Sequence, residues 1–522
     1  MVSAPDDLPT EPEALRALLI AERASHAAAL ARVLSERDRL RAIIRELQRH
    51  RFGRRSERLD PDQLALALEE LEQSVAAAEA ADTRTPAKPT PSSAPAKRQV
   101  NRGALPAHLP RIETVIEPAE RTCPCCHAAM HRIGEDIAER LDIVPAKLRV
   151  LVVRRPRYAC RACPGTLVQA PAPARLIEGG LPTEALIAHV IVAKYADHLP
   201  LYRQAQIFAR EGVDLDRSTL ADWVGRAAWW LRPLHERLLD QLRASAKLFA
   251  DETPAPVLDP GRGRTKTGQL FAYARDDRPW GGPAPPAAAY LYAPDRKAER
   301  PIAHLEGFRG ILQVDGYAGY RAVAETGEVV LAFCWAHVRR RFFEIAQTGN
   351  APVATEALAR IAALYAIEAE IRGRSAEERH AIRQQRTRPL VDDLKTWLEA
   401  QLAAVSKKSR LAEAIRYALA RWPGLGRFID DGRIEIDSNV VERSIRPIAL
   451  NRKNALFAGS DGGGEHWAIL ASLIETCKLN GVPPHAYLAD VFTRFAAGYP
   501  ISQIDDLLPW LWAATRPIQR AA

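Results

Sequence analysis

The sequence has 522 residues, enough for three or four domains of about 150 residues each. Hydrophobic residues make up 47% of the chain, so sizeable packed cores are expected. Lysine and arginine outnumber aspartate and glutamate by 73 to 64, and this basic balance favours a polyanionic partner such as nucleic acid. A mildly basic enzyme without such a partner is the alternative. Because no apolar run reaches the roughly 18 residues of a membrane span and the N-terminus lacks an apolar signal core, we expect a cytoplasmic protein.

Residues 11–80 predict a helical, coiled-coil-like region. Its apolar residues recur at heptad-like spacing, at Leu19, Leu30, Val33, Leu40, Ile44 and Leu47. This seam would pair with another helix or pack on its own chain. Arg54 and Arg55 lie in an arginine-rich stretch that either contacts phosphates or forms a solvated helix end. Residues 81–106 are rich in Pro, Ala, Ser and Lys without an apolar period, which predicts a linker.

Residues 107–172 carry two C-x-x-C pairs and predict a zinc-ribbon module. The four thiolates are those of Cys123, Cys126, Cys160 and Cys163, at the spacing that holds a tetrahedral structural Zn²⁺. Cys125 could replace Cys126, and four reduced cysteines in a small core are the alternative to a metal site. Arg154 and Arg155 belong to a basic stretch that suits DNA phosphates or solvent.

Residues 181–240 predict a helical module with a helix-turn-helix pattern, which would bind DNA or simply pack as a helical hairpin. One helix would end at Gly212, since glycine readily adopts the left-handed conformation. Asp216 or Ser218 would cap the next helix. Its buried face would carry Leu220, Trp223 and Val224.

After this module, short strand-like runs predict a sheet that presents two aspartates. One apolar strand would end at Asp251, and another, over 311–314, would end at Asp315. Further strands are predicted near 270–274 and 290–292. Carboxylates on neighbouring strands can hold the two Mg²⁺ ions used in displacement at a phosphodiester, although many strand-end aspartates only cap turns.

A third carboxylate, that of Glu442, falls in the first turns of a predicted helix that Asp437 or Ser438 would cap. With the two aspartates it would complete a metal-binding set. Helix-surface glutamates are common, so this residue alone is weak evidence. Nearby basic residues could hold phosphates by charge-assisted hydrogen bonds. They are Arg262, Arg264 and Lys266 in a glycine-rich hairpin, and Arg443, Arg446, Arg452 and Lys453 around the helix.

The order of these segments closely resembles the insertion sequence 66 family of transposases. The stretches that carry the resemblance run from about residue 40 to 495. They are FGRRSERL at 52–59, the CPCC and CRAC knuckles, FADETPAPVLDPGRGRTKTGQLFAYARDDRPWGG at 249–282, QVDGYAGY at 313–320, CWAHVRRRFFE at 334–344, IDSNVVERSIRPIALNRKNALFAGSDGGGEHWA at 436–468 and LIETCKLNGVPPHAYLADV at 473–491.

The resemblance implies a multidomain α+β protein with a ribonuclease-H-like α/β catalytic domain at 245–465. A helical insertion would occupy about 345–430, and 466–515 would form a helical C-terminal region. The metal ligands of the family map onto Asp251, Asp315 and Glu442, with two Mg²⁺ (or Mn²⁺) ions expected.

The resemblance also bears on the motif CWAHVRRR at 334–341. Arg339, Arg340 and Arg341 are expected to face DNA. His337 is expected to pack at a helix start or contact DNA rather than bind metal. Cys334 and Cys477 are expected to be buried apolar thiols.

The implied function is metal-dependent cleavage and strand transfer of an insertion element by a DDE-type transposase. Its partners would be double-stranded DNA at the element ends and target, further copies of the chain, and accessory proteins of the element. We therefore expect a cytoplasmic, nucleoid-associated protein. A DNA-binding protein with an inactive catalytic domain, and a zinc-ribbon nuclease acting on RNA, are the competing hypotheses.

Overall fold

This computed structural model describes residues 148–159, 167–259, 263–325, 327–347, 349 and 351–515. The predicted N-terminal helical region and the linker lie outside these residues. So do several predicted site residues: Arg54, Arg55, Cys123, Cys125, Cys126, Cys160, Cys163 and Arg262.

The described part of the cysteine module contains a short antiparallel pair of strands. Strand β1 (Arg157–Ala159) pairs with β2 (Leu167–Gln169). Arg154 and Arg155 precede β1 and are exposed. The guanidinium of Arg155 donates a hydrogen bond to the carbonyl of Ala170 at 3.0 Å, which ties the two sides of the hairpin together.

Three helices follow: α1 (Glu184–Tyr195), α2 (Leu201–Arg210) and α3 (Arg217–Arg243). Gly212, in the turn before α3, has a φ of +80°, the left-handed conformation expected of it. The carboxylate of Asp216 accepts a hydrogen bond from the backbone N–H of Ser218 and caps α3. The face of α3 that was expected to be buried is buried, with Leu220, Trp223 and Val224 in the core.

A five-stranded mixed sheet forms the centre of the described structure. Its strands are β3 (Lys247–Asp259), β4 (Arg264–Arg275), β5 (Ala287–Ala293), β6 (Gly310–Val314) and β7 (Val329–Phe333). They are ordered β5-β4-β3-β6-β7. The pairs β3–β4 and β4–β5 are antiparallel, whereas β3–β6 and β6–β7 are parallel. The sequence reading had singled out four of these strands but not β7.

Strand β3 is longer than the sequence suggested. It was predicted to end at Asp251, but it continues through Pro254 and Pro256. A proline lacks an N–H, so it is tolerated in a strand only where no partner needs one. Leu258 bonds to Ala458 on the side of β3 away from β4, and the two prolines share that side because hydrogen-bonding directions alternate. Since β3 pairs with β6 only near its start, no ladder bond is lost.

The connections within the sheet are short. They comprise a 3₁₀ turn (Arg278–Trp280), α4 (Glu299–His304) and α5 (Ala318–Ala324).

Between β7 and residue 431 the chain forms a helical insertion with its own apolar cluster. Its elements are α6 (Trp335–Ala346), α7 (Pro352–Ile371), α8 (Ala376–Ile382), a π-helical turn (Arg383–Thr387), α9 (Arg388–Ala404), α10 (Arg410–Leu419) and α11 (Trp422–Asp430).

The chain ends with α12 (Asn439–Ala455), α13 (Asp461–Leu479), α14 (Pro484–Ala496), a 3₁₀ segment (Ile501–Leu507) and α15 (Pro509–Thr515). These elements share one hydrophobic core with α1–α3 and the sheet. Helix α13 covers the edge strand β5. Ser472 accepts a hydrogen bond from the N–H of Tyr290, and Thr476 accepts one from the N–H of Ala288. These hydroxyls satisfy backbone groups that an open sheet edge would expose.

Candidate active site

Two of the predicted acids lie at the same level of the sheet, Asp251 within β3 and Asp315 directly after the neighbouring parallel strand β6. Strands β3 and β6 pair with Phe249 opposite Gln313. Asp251 and Asp315 each follow two residues later, so the same register places them side by side. Helix α12 packs against β3 and carries Glu442 in its first turn. The fold thus brings together three residues that are widely separated in the sequence.

The electrostatics of this site are those of crowded carboxylates. The pKa of Asp251 is raised well above its ordinary value, first by burial and then by the negative charges of Asp315, Glu252 and Glu442. His337 opposes the shift. Among the described residues, none of the three predicted acids forms an ion pair with a lysine or arginine. A site with this donor set fits hard divalent cations, which prefer carboxylate oxygens.

Glu442 is held by the cap residue of its own helix and by residues at the start of α6. The hydroxyl of Ser438 donates to Oε1 of Glu442 at 3.0 Å, and Nδ1 of His337 lies 3.9 Å from the same oxygen. The backbone N–H of Ser438 donates to Sγ of Cys334 at 3.3 Å. Burial raises the pKa of the Cys334 thiol well above its ordinary value, so it remains protonated and acts as a packing group. Cys334 and Cys477 are both buried, as predicted.

The ligand atoms of Cys334, His337 and Glu442 all lie within 4.8 Å of one another. His337 therefore borders the third carboxylate, which the sequence did not predict.

The predicted cap of α12 is also different in detail. Ser438 occupies the cap position, but its hydroxyl bonds to Glu442 rather than to a helix N–H.

The connecting segment, residues 431–438, fixes where α12 begins. The carboxamide of Gln313 donates to the carbonyls of Glu435 and Asp437 at 2.7 and 2.9 Å, and it accepts from the N–H of Glu435. The backbone N–H of Trp335 donates to the carbonyl of Ile436 at 3.0 Å. Buried Arg379 pairs with the Glu435 carboxylate at 2.7 Å. The start of the helix that carries Glu442 is thus bonded directly to the strand that precedes Asp315.

Residues 179–466 match the model of the Transposase IS66 family, which is more than half of the chain. The chain belongs to the IS66 family of transposases. Residues 120–164 match the zinc-finger binding domain of transposase IS66, residues 39–114 match Transposase C of IS166 homeodomain, and residues 472–510 match the IS66 C-terminal element. The family domain identifies a DDE-type transposase, an enzyme that acts on DNA.

Similar chains occur in Sinorhizobium fredii. The uncharacterized protein y4jD is 49% identical over 92% of this chain and 96% of its own length. The uncharacterized proteins y4qI and y4hP are 46% and 40% identical, over 98% and 90% of this chain and 98% and 88% of their own lengths. The resemblance first seen in the motifs therefore extends over nearly the whole chain. Of the helices described here, none is long and apolar enough to cross a membrane.

The basic residues predicted to contact DNA in this IS66 family transposase have different surroundings. Lys266 pairs with Asp461 at 2.6 Å, and Arg452 donates to the carbonyl of Pro254 at 2.6 Å. Arg339 is only 6% exposed, so the prediction that it faces DNA from the surface is wrong. The remaining candidates are at least partly exposed. They are Arg154, Arg155, Arg264, Arg340, Arg443, Arg446 and Lys453.

Sequence reasoning missed a fourth acid beside the transposase site. Glu252 follows Asp251 directly, and its carboxylate forms an ion pair with Arg296. Burial, followed by the charge of Asp315, raises the pKa of Glu252. The adjacent acids in the sequence ADET were a visible signal. Gln313 was also overlooked, although a polar residue within the apolar run ILQV suggests a buried hydrogen-bonding role.

Proposed function

We propose that this transposase cleaves DNA at the ends of its element and joins the freed strands to target DNA, with Asp251, Asp315 and Glu442 as the ligands of two Mg²⁺ or Mn²⁺ ions. The observation that carries the proposal is the convergence of these carboxylates from β3, β6 and α12 on one site. Burial, and then repulsion among the carboxylates, raises the pKa of Asp251, and bound divalent cations would relieve that repulsion.

When bound, the two cations would activate the attacking oxygen and stabilise the leaving oxygen of an in-line displacement. The protein's own contribution is to hold the ligands in place. Ser438 and His337 engage one oxygen of Glu442, which leaves the other oxygen for metal. Backbone N–H groups donate to one oxygen each of Asp251 and Asp315, at 2.8 and 2.9 Å. Ligands held in this way need little reorganisation when the metal binds.

The sheet order also supports a ribonuclease-H-like catalytic domain. Three antiparallel strands are followed by two parallel ones, and the first strand of the series lies in the middle of the sheet. The helical insertion interrupts the chain between the second and third carboxylates, as the resemblance implied.

The other proposed sites complete the DNA-binding function. Cys123, Cys126, Cys160 and Cys163 all fall within the match to the zinc-finger domain, which supports a structural Zn²⁺. The arginines and lysines predicted on the catalytic unit would hold phosphates beside the metal site, with the exception of Arg339. Residues 11–80 would pair copies of the chain, and accessory proteins of the element would act with it.

The test measures strand cleavage and strand joining by the full chain on DNA from the termini of its own element. Asp251→Asn and Glu442→Gln should each lower both products by at least about 100-fold, since each removes a metal ligand and several kcal/mol of transition-state stabilisation. Asp505→Asn is the matched control, because this carboxylate pairs with Arg237 rather than with the site. It should leave the products unchanged.

A second readout is independent of turnover. Mg²⁺ or Ca²⁺ should raise the thermal midpoint of the wild type and of Asp505→Asn, and should raise that of Asp251→Asn much less. Equal cleavage by the wild type and both site variants would contradict the assignment. Metal and DNA binding without any cleavage by the wild type would favour an inactive DNA-binding protein, and cleavage of RNA alone would favour a nuclease.

A further inference from the structure

Two arginines of the helical insertion stack on one tyrosine beside the carboxylates. The guanidinium carbon of Arg341 lies 3.9 Å from the centre of the Tyr417 ring, and that of Arg421 lies 3.8 Å from it. Two guanidiniums this close to one centre would overlap on a single face, so they lie on opposite faces. We call these residues the Arg–Tyr–Arg stack. Arg341 lies on α6, Tyr417 on α10, and Arg421 directly before α11.

The stack contacts the backbone of a proposed metal ligand directly. The hydroxyl of Tyr417 donates to the carbonyl of Asp315 at 3.0 Å. Gly316 has a φ of +105°, and a Cβ added there would lie 2.6 Å from Nε of Arg421, so this guanidinium lies against the backbone that follows Asp315. The insertion thus delivers two positive charges to the edge of the carboxylate site.

Little within the described residues neutralises these charges. Arg341 lies 3.8 Å from the carboxylate of Glu413, which is beyond hydrogen-bonding distance, and the two side chains are 41% and 71% exposed. Arg421 donates to the carbonyl of Tyr417 at 3.3 Å, while its buried Nε has no hydrogen-bond partner. Exposed pairs such as that of Arg341 contribute little, so the guanidinium remains available to an anion.

We propose that the Arg–Tyr–Arg stack binds a phosphodiester of the DNA strand that passes Asp315. This inference rests on the proposed function. Guanidiniums offer planar sets of donors that match phosphate oxygens, and stacking on a ring limits their rotation before DNA binds. Because the contact lies beside Asp315, the phosphate would be a near neighbour of the one that reacts. It belongs either to the element end or to the target.

The stack differs from the other cationic candidates in its origin. It comes from the insertion rather than from the sheet or α12, so the insertion would form one wall of the DNA path. The tyrosine has a separate task, because its ring is a spacer that keeps the two guanidiniums apart. Tyr417→Phe should retain phosphate binding because the ring remains, whereas Tyr417→Leu should lose part of it.

The experiment measures the salt dependence of duplex binding by the full chain, in Ca²⁺, by fluorescence anisotropy. One probe carries the terminal sequence of the element and the other an unrelated sequence. Each phosphate contact contributes about 0.9 to the slope of log K against log salt concentration. Arg341→Gln combined with Arg421→Gln should make that slope shallower by about one to two. The probe whose slope changes shows whether the phosphate belongs to the element end or to the target.

Arg360→Gln is the matched control. Arg360 also belongs to the insertion and lies 4.8 Å from the ring centre of Trp397, but its ion pairs are with Glu356 and Asp393. This variant should keep the wild-type slope. The single variant Arg341→Gln alters a partly exposed helix residue and should reduce the slope by about one without changing the thermal midpoint.

An unchanged slope on both probes for the folded double variant would overturn the inference and leave the transposase proposal intact. Failure of the wild type to bind either probe would count against both. An equal loss of slope in Arg360→Gln would also overturn the inference, since it would mean that any insertion arginine acts through general charge.

Discussion

Replacing Gln313 with leucine should break the hydrogen bonds that join the sheet to the segment before α12, and should lower the free energy of unfolding. The Gln313 side chain is fully buried and makes three hydrogen bonds to the backbone of Glu435 and Asp437. Leucine has a similar size but no polar atoms, so two carbonyls and one N–H would lose this partner. At about 1–3 kcal/mol for each buried group left unsatisfied, and with partial relaxation, we expect a loss of about 2–4 kcal/mol.

The assay is urea unfolding followed by tryptophan fluorescence, since Trp335 also bonds to the connecting segment. With a slope of about 3 kcal/mol/M, the midpoint should fall by roughly 1 M. Gln384→Leu is the control, because Gln384 also donates to a backbone carbonyl, at Ile429, but is only half-buried. It should shift the midpoint far less. A Gln313→Leu midpoint within about 0.2 M of wild type would refute the view that this amide fixes α12.

Three further predictions concern the same unit. Because the pKa of Asp251 is raised above 3.8, folding takes up a proton, and metal-free stability should fall as the pH rises above about 4. Mg²⁺ should therefore raise the thermal midpoint more at about pH 7.5 than at about pH 5, and a pH-independent increase would contradict this reasoning. Ser438→Ala should weaken Mg²⁺ binding about 10- to 100-fold in a thermal-shift titration, whereas Ser438→Thr should retain it; equal affinities would exclude a positioning role. Ser472→Ala with Thr476→Val should cost about 1–3 kcal/mol for each edge N–H left unpaired, measured by urea unfolding, and a change below about 0.5 kcal/mol would show that water replaces the hydroxyls.

Local chemistry made several elements of the fold predictable. The positive φ of Gly212 and the cap at Asp216 depend on residues a few positions apart, and both agree with the expectation. Short runs of apolar and aromatic residues, broken by Gly, Pro or Asp, likewise located most strands. Strand β3 was underestimated because its prolines normally end a strand, and only the sheet order shows that their missing N–H groups face no paired strand.

The three carboxylates of the candidate site could be located from the sequence, but the residues that support them could not. Asp251, Asp315 and Glu442 occur in motifs that are readable one segment at a time. The contact of Ser438 with Cys334 joins residues 104 positions apart, and that of Tyr417 with Asp315 spans 102. Tertiary packing decides such pairs, and no local pattern encodes them. The burial of Arg339 has the same cause, since the apolar cluster of the insertion covers that side of α6.

The hydrogen bond between Trp335 and Ile436 brings the two ends of the insertion together at one neck. The cost in chain entropy of closing a loop rises only with the logarithm of its length, so doubling a flexible loop costs about 0.6 kcal/mol. The position of Glu442 therefore depends on this hydrogen-bonded neck and very little on the length of the insertion beyond it. The insertion can therefore lengthen or shorten at its far end while the three acids keep their spacing. Changes at the neck, or at insertion residues bonded to the site such as Tyr417 and Arg379, would be transmitted to the three acids.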